Sequence, residues 1–328
     1  MSVTENTAPI HRVGFIGLGN VGGKLAGSAV RNGFDLVVHD PDPEASAPLL
    51  EQGATLAESP RALAEQCDAV VTCLPSPEIS ARVLEGEDGV LAGMQPDSLW
   101  LEMSTTRTDE VVRLGRAVTD RGGVALDTPV SGGCHRAATG NIAIFAGGPR
   151  AAFERALPLL TVFGRRVLHT GELGSASTIK VVTNYLASAH LVALGEALTT
   201  AKQAGMDLAT VYEAIRVSSG NSFVHETESQ VIFNGSYNIN FTMDLVSKDT
   251  ELFLALAEEG GVPVEMAELV RSTFADGRDR YGDRAWSSMI VKRLEDDCGC
   301  SLRAPGFPAE LVDDEPEARG AEIRPAGT

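Results

Sequence analysis

Two stretches of this chain combine residue types and spacings that chemistry can use. Near the N-terminus stands Gly17-Leu18-Gly19-Asn20-Val21-Gly22, and far downstream Gly171-Glu172-Leu173-Gly174 leads to Lys180 and Asn184. In the first, the opening glycine permits a tight turn, the second lets backbone approach a pyrophosphate, and the third lets a helix pack on its strand. The N–H groups and positive dipole end of that helix attract phosphate. A bare Gly-x-Gly-x-x-Gly is a weak signal in a chain with 34 glycines. Here an apolar run precedes it, a helical pattern follows, and Asp40 appears about 20 residues on, as dinucleotide binding requires. In the second stretch, a spacing of four puts Lys180 and Asn184 on one helix face. An ammonium over a reacting oxygen stabilises a developing alkoxide and transfers its proton. The pair of stretches points to hydride transfer on a small hydroxy acid.

Asp40 ends an apolar run, where a carboxylate accepts hydrogen bonds from adenosine ribose hydroxyls. Its charge repels a 2′-phosphate, and no arginine or lysine follows in His39-Asp40-Pro41-Asp42-Pro43. NAD is therefore expected over NADP. A solvated loop aspartate beside Asp42 is the alternative.

The elements that must position these residues alternate. β-branched runs at 13–16, 36–38, 69–73, 99–102 and 124–126 are separated by helical patterns, with further runs at 142–145 and 166–168. That rhythm predicts an α/β fold with an N-terminal Rossmann-type, doubly wound parallel sheet. Ligands in such sheets sit beyond the carboxyl ends of the strands, where Asp40, Leu74-Pro75 and Ser104-Thr105 fall. A helix is predicted over 177–204, stopped by Gly205 and ~40 Å long, enough to join a second, all-helical domain. The expected division is 1–173, a dinucleotide-binding domain; 174–297, helical; and 298–328, a disordered tail rich in proline, glycine and acid.

Composition narrows the partners. The 328 residues carry a formal charge of −18, which disfavours nucleic acid and anionic lipid and requires local cations to hold a small anionic substrate. No signal peptide is read, nor any uninterrupted apolar run of about 18 residues, so no membrane partner is expected. Five cysteines, odd in number and without zinc-site spacing, read as reduced thiols of a cytoplasmic protein holding no metal. A metal or redox role for Cys298-Gly299-Cys300 is the weaker alternative.

These residues match a family pattern. From residue 12 to 297 the chain resembles the β-hydroxyacid dehydrogenases, which include 3-hydroxyisobutyrate dehydrogenase and tartronate semialdehyde reductase. Four segments in order carry the resemblance: the loop 17–22, Asp127-Thr128-Pro129-Val130-Ser131-Gly132-Gly133, the Gly171-to-Asn184 stretch, and Lys248-Asp249. The resemblance implies that Ser131, Gly132 and Gly133 bind a substrate carboxylate, that Lys180 is catalytic with Asn184 beside it, and that Lys248 serves substrate and nicotinamide. It implies cofactor contacts at Leu74, Pro75 and Thr105, substrate lining near Asn221, and a homodimer or homotetramer.

Departures from the family stand beside it. Cys134-His135-Arg136 follows the carboxylate motif, Asn141 stands where a threonine is usual, and Asn221 where an arginine is frequent. The loss of that arginine argues against simple transfer of the 3-hydroxyisobutyrate substrate. Two other readings keep the fold: an imine reductase, against which Lys180 counts, and a non-catalytic NAD-sensing or interaction protein, which needs no proton donor.

Overall fold

A computed structural model describes residues 9–325. The chain forms two compact units, one of Met1–Lys180 with Asp313–Thr328 and one of Val181–Val312.

The first unit is built on one ten-stranded sheet. Its strands are β1 (Arg12–Ile16), β2 (Asp35–His39), β3 (Thr55–Leu56), β4 (Ala69–Thr72), β5 (Leu99–Glu102), β6 (Val124–Asp127), β7 (Val130–Ser131), β8 (Ile142–Gly147), β9 (Gly164–Gly171) and β10 (Ala321–Ile323). They lie in the order β10-β9-β8-β6-β5-β4-β1-β2-β3, with β7 paired to β8. Pairing is parallel from β3 to β6 and from β8 to β10; β8 runs antiparallel to β6 and β7.

Every residue of β4 and β5 is buried. Helices cover both faces of such a sheet, so its inner strands read as unbroken apolar runs. Phe15, Phe153 and Phe163 fill one side, Trp100, Leu63 and Val70 the other. Three of the covering helices start alike. Asp42, Ser59 and Ser76 each accept a backbone N–H, and a proline is the first helical residue. The side chain satisfies a donor the helix leaves unpaired, and proline lacks a donor there anyway.

Register decides what the strands deliver. Ile16 pairs with His39 and Thr72, Thr72 with Glu102, and Glu102 with Asp127. The carboxyl ends of five strands thus finish in one row, and the segments leaving that row carry Gly17, Asp40, Leu74 and Ser104.

The second unit is helical. Leu208–Arg216, Phe223–Asn234, Met243–Glu259 and Glu265–Tyr281 surround Leu191, Leu198, Phe233, Val270 and Phe274 with the later part of the long helix Ser175–Gln203.

The structure corrects two expectations, the place of the division and the disorder of the tail. The division between units falls inside the long helix, after Lys180, and not at 173. The first turns of that helix are bonded to the sheet unit, through Asp127 and Thr108. The tail beyond 298 is ordered among its described residues. Leu302 N–H and Arg303 both donate to the buried Glu295 carboxylate at 2.6 and 3.0 Å, and the Phe307 ring lies 5.0 Å from that of Phe233. Further on, β10 adds to β9. Composition suggested disorder because this segment has no core of its own; it borrows one from each unit. Finally, Ser175–Gln203 is long and apolar enough to cross a membrane by length and composition, with mean hydropathy 1.2. Small apolar residues around few charges give that value, although no uninterrupted run does.

Candidate active site

The glycine loop has the geometry its spacing predicts. Gly17 has φ +92°, and a Cβ there would strike the Cys73 carbonyl; one on Gly22 would strike the Gly17 carbonyl. Only glycine fits either place. A Cβ on Gly19 would meet nothing within 4 Å. Backbone at Gly19 is therefore open to a phosphate, while Gly17 and Gly22 close the turn and the helix packing. Gly17 N–H donates to the His39 carbonyl at 3.1 Å. Asp40 is bound into the same turn: its Oδ2 accepts from Leu18 N–H at 2.7 Å and its Oδ1 from Asp42 N–H at 2.9 Å. Asp40 thus shapes the loop as well as ending β2. Asn20 is exposed and Val21 half-buried at the start of the helix Gly22–Arg31.

The neighbouring strand ends are cross-linked. Leu74 N–H donates to Ser104 Oγ at 2.8 Å, and Ser104 N–H donates to Glu102 Oε1 at 2.8 Å. Pro75 is exposed and Thr105 half-buried beside them. Burial raises the Glu102 carboxyl above its ordinary range against the pull of these hydrogen bonds.

Lys180 is positioned by a residue to which the sequence reading gave no role. Asp127, wholly buried at the end of β6, accepts from Gly174 N–H at 2.9 Å and Ser177 N–H at 2.6 Å. It therefore anchors the start of the helix Ser175–Gln203. The glycines make room for it: a Cβ on Gly147 would strike Asp127 Oδ1, and Gly174 has φ +95°. Thr108 and Thr178 hydroxyls, 2.9 Å apart, fasten the next turn. Lys180 follows at once, buried to 8% exposure. A buried acid ending an apolar strand run was the available signal for Asp127.

One side chain shows what gathers at the strand ends. Burial, with smaller contributions from the Glu102 carboxylate and Cys134, pushes the Cys73 thiol up to about 12, and the Lys180 ammonium opposes them. Cys73 precedes Leu74, and Cys134 follows the Ser131-Gly132-Gly133 turn, where the glycines have φ +130° and +85°. The glycine-loop neighbourhood, the carboxylate motif and Lys180 thus lie within electrostatic reach of one point.

In the helical unit Asn184 Nδ2 donates to Asp249 Oδ2 at 2.6 Å, and Lys248 Nζ pairs with Asp249 Oδ1 at 2.8 Å. Asp249, 2% exposed, orients both expected site residues at once. Asn221 stands instead on an exposed turn, its amide donating to Glu226 Oε1 at 2.6 Å.

An open glycine loop, a turn of two positive-φ glycines and a buried lysine are the features of this site, and the relatives make it that of a nicotinamide-dependent dehydrogenase acting on a CH–OH group. Residues 12–171 match the NAD binding domain of 6-phosphogluconate dehydrogenase, and 174–294 match the NAD-binding domain of NADP-dependent 3-hydroxyisobutyrate dehydrogenase. The chain is 31% identical to 2-(hydroxymethyl)glutarate dehydrogenase of Eubacterium barkeri, across 89% of this chain and 97% of that one. It is 30% identical to 3-hydroxyisobutyrate dehydrogenase of Pseudomonas aeruginosa, across 80% and 91%. A crystal structure of 3-hydroxyisobutyrate dehydrogenase from Salmonella typhimurium superposes with TM-score 0.80 at 31% identity, covering 86% of this chain and 99% of that chain. The chain belongs to the β-hydroxyacid dehydrogenase family.

Proposed function

We propose that the protein interconverts a small β-hydroxy acid and its aldehyde or keto acid with NAD, Lys180 moving the hydroxyl proton. The carrying observation is a buried lysine directly after a helix start bonded to Asp127, within reach of the strand ends that follow the glycine loop. NAD supplies the hydride acceptor or donor when bound. Ser131, Gly132 and Gly133 hold the substrate carboxylate, since glycine backbone approaches an anion without a Cβ in the way. Lys180 faces the hydroxyl and stabilises the alkoxide as it forms. Asn184 and Lys248, oriented by Asp249, position substrate.

Asp40 supports NAD over NADP, because a carboxylate at the end of β2 repels a 2′-phosphate. Reduction of NAD and of NADP with 3-hydroxyisobutyrate, 3-hydroxypropionate, glycerate, L-serine and diacid analogues tests both claims. A specific NAD-linked rate on at least one acid is expected, with kcat/KM at least about tenfold above that with NADP, equivalent to ~1.4 kcal/mol. A higher value with NADP would overturn the role of Asp40. Imine reductases share the fold at 19% identity, and the lysine distinguishes this site from an imine-reducing one.

We place the enzyme in the cytoplasm, a compartment that suits an odd number of cysteines without zinc-site spacing. We read it as a homo-oligomer with neither nucleic-acid nor membrane partners. Val182 and Leu186 on the long helix are 38% and 47% exposed, and a second copy is the cover we assign to them. Light scattering during gel filtration should give two or four times the chain mass; a monomer at micromolar concentration would refute this.

A further inference from the structure

The segment 313–323 lies beyond the residues matched to the family and returns to the sheet unit. It lands where the sequence departs from the family. Asp313 Oδ2 accepts from the Thr139 hydroxyl and from Asn141 Nδ2, the latter at 2.7 Å. Asn141 Nδ2 also donates to the Glu315 carbonyl at 2.8 Å, and Glu315 pairs with Arg165 at 3.3 Å. Glu317 bonds Arg31 at 3.1 Å and Asn32 at 3.3 Å. Arg31 in turn donates to the Ala138 carbonyl at 2.9 Å. β10 then completes the attachment by pairing with β9, and Glu322 holds Arg150 at 2.6 Å.

These contacts converge on the short helix Gly133–Ala138 and the turn that closes it. That helix begins at the carboxylate-binding glycines and carries His135 and Arg136. Its far end is held by Asp313 through Thr139 and Asn141, and by the Glu317–Arg31 pair through Ala138. A threonine at 141 would have no amide to offer Asp313 and the Glu315 carbonyl together; asparagine does.

We infer that residues 313–323 form a strap that positions the carboxylate-binding loop, with Asp313 as the positioning residue. This rests on the proposed role of Ser131, Gly132 and Gly133. Asp313 acts on substrate only through the loop it holds. It fixes the turn from which Gly132, Gly133, His135 and Arg136 are aimed, so its loss acts on substrate binding and spares proton transfer at Lys180 and NADH binding.

The test compares wild type with Asp313→Ala and Asp313→Asn by hydrogen exchange over residues 131–141 and by NAD-linked kinetics. The substrate is whichever of 3-hydroxyisobutyrate, 3-hydroxypropionate, glycerate and L-serine the wild type oxidises fastest. Asp313→Ala should speed exchange in that segment and raise KM about tenfold, as loss of a charged hydrogen bond predicts, with kcat and the NADH Kd within about twofold. Asp313→Asn, whose oxygen still accepts both donors, should recover most of the KM. An unchanged KM in Asp313→Ala overturns the strap. So does a joint loss of kcat and NADH affinity that Asp313→Asn does not relieve, since that marks a general structural defect. If the wild type oxidises none of the acids, the functional reading fails separately. Exchange then decides the strap, faster supporting it and unchanged refuting it. Should Asp313→Ala not fold, Thr139→Val removes one of the two donors to Asp313 and leaves Asn141; faster exchange over 131–141 with a smaller rise in KM supports the strap, and no change in either overturns it.

Discussion

Replacing Lys180 with alanine should lower kcat by about 10²- to 10⁴-fold, the range typical of a positioned acid–base group. NADH affinity should change little, because the proposed site for the phosphates is the glycine loop and not this helix. Lys180→Arg should recover little: the planar guanidinium keeps its proton under all working conditions and is bulkier than an ammonium. Steady-state rates with the best hydroxy acid, beside NADH fluorescence titration, separate the outcomes. Turnover within tenfold of wild type would remove Lys180 from the mechanism. Loss of NADH binding together with turnover would make it a structural residue. The same pair of measurements distinguishes an enzyme from a protein that only senses NAD, since a sensor shows no turnover to lose.

The second large effect is expected at Asp127. Asp127→Ala leaves the Gly174 and Ser177 N–H groups, bonded at 2.9 and 2.6 Å, without acceptors in a buried place. Each orphaned donor costs about 1–3 kcal/mol, so a loss of about 2–6 kcal/mol is predicted in urea denaturation. Because the helix start carries Lys180 with it, kcat should also fall, by about 10²-fold for a shift near 1 Å. Asp127→Asn keeps one good acceptor and should lose roughly half as much stability. An unchanged denaturation midpoint for Asp127→Ala, or full activity in a folded variant, would show that the glycines and Thr108 hold this helix without it.

The chemistry at the site was legible in the chain to an uneven degree. The glycine loop was readable because its glycines answer local demands: Gly17 and Gly22 have no room for a Cβ, and Gly19 faces open space. Lys180 was readable only through its company, since a lone lysine on a helix is ordinarily solvated; the structure shows it 8% exposed. Asp249 pairs with its neighbour Lys248, and the same carboxylate also holds Asn184. Two carboxylate oxygens serving residues 65 positions apart and next door cannot be seen as one unit in a linear pattern.

Local periodicity by itself determined the alternation of strands and helices in the first half, the ligand-facing edge of the sheet and the long helix after Gly174. Those features depend on neighbours within a few residues, and on backbone freedom that glycine and proline advertise. Tertiary structure alone decided that β8 runs antiparallel to β6, that the units divide inside a helix, and that the last residues become a strand. The tail has too little apolar surface to order itself, so its state depends on partners far away: Arg31, Asn141, Arg150 and Arg165. A fold that a segment reaches by pairing with distant groups leaves no period in its own sequence.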